Sequence, residues 1–374
     1  YGDHRDLHLS IRRQRQMCIR DRLTIRDEVY PITLFVSPES GRIEKLKTME
    51  WDVIYGDIEL EVIFDQWQRV DGIDFPMLVK ISQGGAPRME VRRSLVEVNP
   101  TQDPDYFKPA PGVVYKHDEV AATRGKFLSQ TIRMFTLAGA ARPQLNSIEL
   151  ESGVDLIYAL PVDGVYTMVV EQANGVVVIE PGMNDLKGEE IIKWIGKRYP
   201  GKPVTHLIVS HHHNDHGGGI RPYVASGATL VVHETATEFY KAQASRPKSR
   251  VLMDALDRNP QSAKIVGVAA GDSYTIEDPT QSVSVYPVLG GHTEDMVVAV
   301  LEKQSMLYAG DLYVSGIARD LRSGTKRGPN VLPFHSAVAL DATIRAYDLD
   351  VPILVGSHDR QPVTYQDLVN YITD

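Results

Sequence analysis

Cysteine is all but missing from this chain: Cys18 is the single one in 374 residues. Disulfide staples and thiolate clusters therefore cannot carry its stability or its chemistry, although the scarcity does not assign a redox compartment. Long apolar runs are missing too, and no stretch approaches the roughly 20 residues of a membrane-spanning helix. Basic charge is in the minority, with 40 Lys and Arg against 49 Asp and Glu and a formal net charge of −9. That balance argues against nonspecific nucleic-acid binding, which needs a basic surface for phosphate contact. No repeat of solenoid period is evident. No Walker-type phosphate loop and no Ser-His-Asp nucleophile arrangement is apparent. What is left, 43% hydrophobic and 24% charged, is ordinary for a globular protein with room for two domains and a large core.

What the chain does have is histidine concentrated in one place. Four of the twelve histidines fall within the six positions His211–His216 of the stretch Ser210-His211-His212-His213-Asn214-Asp215-His216-Gly217-Gly218-Gly219. The preceding Val204-Thr205-His206-Leu207-Ile208-Val209 is a β-branched apolar run that reads as a buried strand. The cluster therefore sits at the carboxyl end of a strand, where an open α/β sheet presents its ligands. Imidazole and carboxylate together suit zinc and similar divalent metals. A strand end aims alternate side chains at one point, so His211 and His213 read as ligands of one ion and His212 as the outward partner. Asp215 and His216, past the bend, can reach a second ion. The glycines let the backbone pass close to the metals without side-chain obstruction. A solvated polar loop or a purification tag are the bland alternatives, but this run is interrupted, interior and framed by a strand.

The pattern His-x-His-x-Asp-His resembles the signature of the metallo-β-lactamase superfamily, and further stretches resemble its other elements in order. Pro287-Val288-Leu289-Gly290-Gly291-His292-Thr293 looks like its Gly-His-Thr element. Met306-Leu307-Tyr308-Ala309-Gly310-Asp311 ends an apolar strand in Gly-Asp, and Ile353-Leu354-Val355-Gly356-Ser357-His358 ends another in histidine. Glu180-Pro181-Gly182 stands where the family commonly has Asp-x-Gly. The resemblance implies a first metal site of His211, His213 and His292, a second of Asp215, His216 and His358, and Asp311 as a bridge. It implies an α/β fold, a four-layer αβ/βα sandwich, with the metals in a groove at one edge of two sheets.

The implied chemistry is metal-assisted hydrolysis of an ester, thioester, lactone or amide by a metal-bridging hydroxide. Two divalent cations ~3.5–4 Å apart would lower the pKa of a shared water from about 15.7 to about 7. Asp215 is the candidate catalytic residue, hydrogen-bonding that hydroxide and shuttling its proton. Zinc is the expected metal, with iron or manganese as alternatives because His/Asp sites accept all three. The ligand set resembles the glyoxalase-II and lactonase type, whereas superfamily β-lactamases typically lack the bridging aspartate or, in some subclasses, use a cysteine. Two rival readings stand beside β-lactam hydrolysis. A persulfide dioxygenase-like oxidoreductase would hold one iron. A binding protein would capture a lipid or acyl ligand and carry a vestigial metal site.

Residues 1–22 lack a clear period and an initiator methionine, and resemble a translated sequencing-adapter artefact of assembled metagenomic reads. On that reading the native sequence enters near Leu23, and any signal peptide lies outside what is given. Residues 23–99 read as a curved antiparallel β domain, with turn signals at Asp71-Gly72 and Gly84-Gly85. The stretch Trp67–Pro76 resembles a hairpin of bacterial lipoprotein-carrier-like half-barrels, which points to an exported or periplasmic bacterial protein; Trp51 and Trp67 read as core. Residues 100–146 read as a linker, with a helix over Glu119–Leu137 as one option, and 147–374 as the catalytic domain. Asn174-Gly175 signals a hairpin and Gly188–Tyr199 an amphipathic helix. His206, His233 and His117 read as structural. Substrate specificity would lie in groove loops around residues 160–166, 235–254 and 313–334, with Tyr166, Tyr223, Tyr313, Arg319 and His335 as candidate contacts to a small-molecule substrate. Oligomeric state is not legible.

Overall fold

The computed structural model describes residues 21–26, 29–103, 105–106, 108, 143–160, 164–250, 253–315, 332–359 and 361–373. The segment before Asp21, the helix considered over 119–137, His117 and Arg319 lie outside the described residues. The chain divides into one unit of residues 1–51 and 57–108, and another of residues 52–56 and 109–374.

The first unit is a six-stranded sheet in sequence order: β1 (Asp21–Ile25), β2 (Ile32–Val36), β3 (Ile43–Asp52), β4 (Gly56–Val70), β5 (Ile73–Gln83) and β6 (Ala86–Arg92). Strand β1 begins at Asp21 rather than at Leu23 and pairs antiparallel with β2. The β4–β5 turn places Asp71 and Gly72 at φ 47° and 81°, and the β5–β6 turn places Gly84 and Gly85 at 56° and 84°. Two consecutive left-handed residues are what a two-residue hairpin needs to match strand twist. Trp67 is half-buried against Phe64, with the Arg42 guanidinium 5.6 Å from its ring centre.

The second unit holds two sheets. In the first, β7 (Gln144–Glu151), β8 (Val154–Leu160), β9 (Thr167–Glu171), β10 (Val176–Ile179), β11 (Val204–Ile208), β12 (Thr229–His233) and β13 (Lys264–Val268) lie in sequence order. Strands β7 to β10 pair antiparallel, and β10 to β13 pair parallel. The second sheet runs β14 (Tyr274–Ile276), β15 (Val283–Pro287), β16 (Val297–Leu301), β17 (Met306–Gly310), β18 (Ile353–Gly356) and β19 (Val363–Thr364), with β17 and β18 parallel. Among the described residues the α-helices are α1 (Asp185–Arg198), the single turn α2 (Asn214–Gly217), α3 (Arg221–Ser226), α4 (Thr237–Ala244), α5 (Ala255–Arg258), α6 (Leu332–Ala346) and α7 (Tyr365–Thr373).

Why the strands read as continuous apolar runs rather than alternating ones is plain from where their side chains go. Val176 and Val178, Leu207 and Val209, and Leu230 and Val232 pack under α1, α3 and α4. Their neighbours Val177, Ile179, Ile208 and Val231 meet Val283, Val285, Val297, Ala299 and Leu301 of the other sheet. Val298, Val300, Leu307 and Leu354 face the opposite way, onto α6 and α7. Both faces of the central strands of both sheets are thus buried, as covered sheets require. The order of layers is helix, sheet, sheet, helix: the expected four-layer α/β sandwich.

Helix α1 starts earlier than the periodicity over 188–199 indicates. The Asn184 side chain accepts from Lys187 N at 2.9 Å, satisfying one free N–H of the first turn. Hairpin β9–β10 forms where Asn174-Gly175 signals it, but as a four-residue loop closed by Gln172 N donating to Gly175 O at 2.9 Å. Gly175 is required by space, not by φ: a Cβ there would lie 2.4 Å from Thr205 Cγ2.

Candidate metal centre

The two sheets are tied together where β11 ends. Val297 N, at the start of β16, donates to Ser210 O at 2.8 Å, and Val209 N donates to Val231 O at 3.1 Å. The backbone then turns into α2, whose first free N–H groups are used by the turn itself: His216 N and Gly217 N donate to His213 O at 3.1 and 2.7 Å. His211 is therefore at the strand end, His213 at the helix cap, and Asp215 and His216 on the turn. Strand β17 ends in Gly310 at φ 55°, which swings Asp311 back toward them. Ser357 N donates to Gly310 O at 3.0 Å, so the ends of β17 and β18 arrive together with Asp311 and His358. His292 comes in on the loop before β16, after Gly290 and Gly291 at φ 98° and 110°.

All seven expected ligand residues converge, in two groups. Ligand atoms of His211, His213, His292 and Asp311 lie within 4.8 Å of one another, and so do those of Asp215, His216 and His358. In the first group His213 Nδ1 is 2.9 Å from His211 Nε2 and 3.0 Å from His292 Nε2. Asp311 stands between the groups. Its Oδ2 is 3.5 Å from His292 Nε2, and its Oδ1 is 3.3 Å from His216 Nε2 and 3.1 Å from His358 Nε2. Asp215 Oδ2 lies 3.5 Å from His216 Nε2.

The electrostatics separate the groups. Burial first, then neighbouring imidazoles, holds His211 and His213 below the ordinary histidine value. Burial also lowers His292, against the pull of Asp311. Three neutral rings thus aim lone pairs at one spot. In the second group burial opposes charge on His216 and His358, but Glu180 and Asp311 outweigh it at His216, and Asp311 outweighs it at His358. Asp311 itself is held far below the carboxylate range: burial would raise it, and His216 and His358 overcome that. Asp215 is held low by the His216 ring beside it, again against burial. Both ring nitrogens of His216 are buried without a hydrogen-bond partner. Converging neutral nitrogens, an ionised carboxylate between them and buried orphan nitrogens fit a divalent cation, which prefers imidazole and carboxylate donors of this kind.

A second layer of contacts orients these rings. Ser210 Oγ is 2.9 Å from His211 Nδ1, Glu180 Oε1 is 3.4 Å from His216 Nδ1, and His358 Nδ1 meets Gly164 O. Tyr240 OH donates to His211 O at 2.9 Å. Sequence reasoning did not single out Ser210, Ser357 or Asp295. The signal for the serines was their place immediately before His211 and His358. Asp295 had none, because its partner His212 is 83 residues away, at 2.8 Å through Nδ1.

Several expected substrate contacts are elsewhere. Tyr166, Tyr223 and Tyr313 are 4%, 0% and 6% exposed, so they belong to the cores rather than to a groove. Tyr223 OH donates to Pro181 O at 3.3 Å and Tyr313 OH to Asp367 O at 3.3 Å. His233 Nδ1 caps Thr235 N at 3.3 Å and is structural, as expected. His206 is half-buried in β11 with Nδ1 3.1 Å from Thr205 Oγ1. His335 is exposed beside Phe334, 6.2 Å between ring centres.

A four-layer sandwich with His and Asp donors gathered at the strand ends, where its two sheets are joined, defines a metal-binding hydrolase class. Comparison with known proteins agrees: the model of the metallo-beta-lactamase superfamily matches residues 160–358, and the chain belongs to that superfamily. A curated relative, a metallo-beta-lactamase type 2 from Elizabethkingia meningoseptica, is 28% identical over 149 residues, 40% of this chain and 52% of that protein. The chain thus spans about half the length of that relative. Among solved structures, a metallo-beta-lactamase from Pontibacter korlensis is similar at 22% identity and a TM-score of 0.46, covering 62% of this chain and 98% of that one. One from Hirschia baltica is similar at 19% identity and a TM-score of 0.44, covering 61% and 96%. No described helix is long and apolar enough to cross a membrane.

Proposed function

We propose that the chain is a dinuclear metallohydrolase acting on an ester, thioester, lactone or amide of a small molecule, with a ligand set of the glyoxalase-II and lactonase type. His211, His213 and His292 would hold one divalent ion, zinc being the first choice. Asp215, His216 and His358 would hold a second, with Asp311 shared. The observation that carries the reading is the position of Asp311, whose two oxygens face the two groups separately. When bound, a pair of divalent ions would supply a water whose pKa falls to about 7 and a Lewis acid for the scissile carbonyl.

The chain's own residues do the rest. Neutral His211, His213 and His292 present lone pairs without a prior deprotonation. Asp215, on the turn at the site and 21% exposed at its side chain, is ionised and can accept a proton from the attacking water and return it to the leaving group. The buried second layer keeps the rings aimed, so that little reorganisation accompanies the reaction.

The test is a panel of esters, thioesters, lactones, amides and β-lactams, run on metal-reconstituted protein beside elemental analysis. Two zinc ions per chain, with turnover of one non-β-lactam class that His213→Ala reduces to background, is the expected result. One iron per chain would move the reading to a mononuclear oxygenase. β-Lactam turnover alone would assign the chain the activity in its relatives' names. No turnover of any class despite bound metal would leave a binding protein.

A further inference from the structure

Ser357 is fully buried and fixed at three points. Its N–H donates to Gly310 O at 3.0 Å, its carbonyl accepts from Tyr166 N at 2.7 Å, and its hydroxyl donates to Asp311 Oδ1. That same Oδ1 is the oxygen facing His216 and His358, while Oδ2 faces His292. The hydroxyl therefore touches only one side of the shared carboxylate. A carboxylate oxygen has two lone pairs. One taken by a rigid hydroxyl leaves the other with a single direction, toward His216 and His358.

We propose that Ser357 is a positioning residue: its hydroxyl sets the rotation of Asp311 about its carboxylate and thereby decides how well the His216–His358 side holds an ion. This rests on the dinuclear reading above. Ser210 provides the comparison within the same molecule. Its Oγ bonds His211 Nδ1 at 2.9 Å, in the other group, and it also precedes a ligand directly. Two serines in matching places thus support two different groups, and their removal separates the two.

The experiment is stepwise zinc binding by chelator competition, with elemental analysis, on the wild type, Ser357→Ala, Ser210→Ala and Ser357→Thr. The wild type should bind two ions. Ser357→Ala should weaken the second step by about 10–100-fold, the usual effect of removing such a supporting contact, and leave the first within about threefold. Ser210→Ala should weaken the first step instead. Ser357→Thr keeps the hydroxyl and should restore the second step wholly or in part. Melting of each metal-free variant shows that the fold is intact, since a packing defect would lower that melting and both binding steps together. Unchanged affinities in Ser357→Ala, or equal loss at both steps, overturns the positioning role while the dinuclear site stands. A wild type that binds one ion or none overturns the dinuclear reading itself, and the positioning role with it.

Discussion

Glu180 is the residue whose placement is hardest to understand without a metal centre beside it. Its backbone is left-handed at φ 70°, a strained choice for a non-glycine residue. Its carboxylate is fully buried, and neither oxygen has a hydrogen-bond partner. A buried carboxylate is costly unless something positive or donating faces it. His216 Nδ1, at 3.4 Å, fills that role. A proton held on Nδ1 toward Glu180 would free Nε2, which faces Asp311 and Asp215, to bind a cation beside those carboxylates, the usual carboxylate–imidazole–metal arrangement. Glu180→Gln keeps the shape and removes the charge. It should reduce divalent-ion affinity by about 10–100-fold, while the metal-free protein stays folded. Zinc titration and denaturant unfolding of the metal-free form check the two halves. Wild-type zinc affinity in the variant would reduce Glu180 to a packing residue.

At the level of elements, the glycines after the histidines show what spacing can and cannot convey. The sequence reading explained them by close approach of the backbone to the metals, but the close approach found is to other backbone: at Gly218, with an ordinary helical φ of −65°, a Cβ would lie 2.1 Å from Met183 O and 2.5 Å from Asn214 O. Gly219 is hemmed in similarly by the carbonyls of Asn184, Gly182 and Pro181, at 2.7 to 2.9 Å. Both press α2 against the loop before α1. Gly218→Ala should therefore destabilise by about 3 kcal/mol or more through forced backbone movement. Gly196→Ala, on the exposed side of α1 with nothing within 4 Å of the added carbon, should stabilise by about 0.5–1 kcal/mol. Thermal melting of the pair tests the contrast.

The same scale explains what was legible. Strands β11, β17 and β18 announced themselves as short apolar runs because both their faces are buried. The ligands lay at their ends because the turn leaving a strand is the first place a polar side chain can sit. The second layer was hidden for the opposite reason. Asp295 meets His212 through tertiary contact and a lone Asp carries no period or spacing, while Glu180 and Ser357 were marked only by their place in the motifs and not by their partners His216 and Asp311. The tyrosines misled because residue type alone says nothing about which face of an element they occupy.

Across the second unit, one buried ion cluster gathers segments far apart in the chain. Arg221 of α3 bonds Asp254 at 2.6 Å and Asp257 at 2.6 Å. Arg246, after α4, bonds Asp185 at the start of α1 at 2.5 Å and Asp254 at 3.3 Å. Three carboxylates thus share two guanidinium groups. Burial pushes the Asp185 carboxyl up to about 7, with Asp254 adding to the shift against the opposing charges of Arg246 and Arg221. Its unfolded counterpart ionises near 3.8. Between about pH 4 and about 7 the native state therefore holds a proton that the unfolded chain has released. Native binding of the extra proton means that stability falls as pH rises through this window and levels off above it. Asp185→Asn mimics the protonated carboxyl and cannot titrate, so it should lack this component. Chemical denaturation in chelator-containing buffer, which removes the pH dependence of ion binding, should show the wild type losing stability relative to Asp185→Asn from pH 4 to 7. Parallel curves for the two proteins would mean that Asp185 is ionised in the fold and that the two guanidinium groups suffice for all three acids.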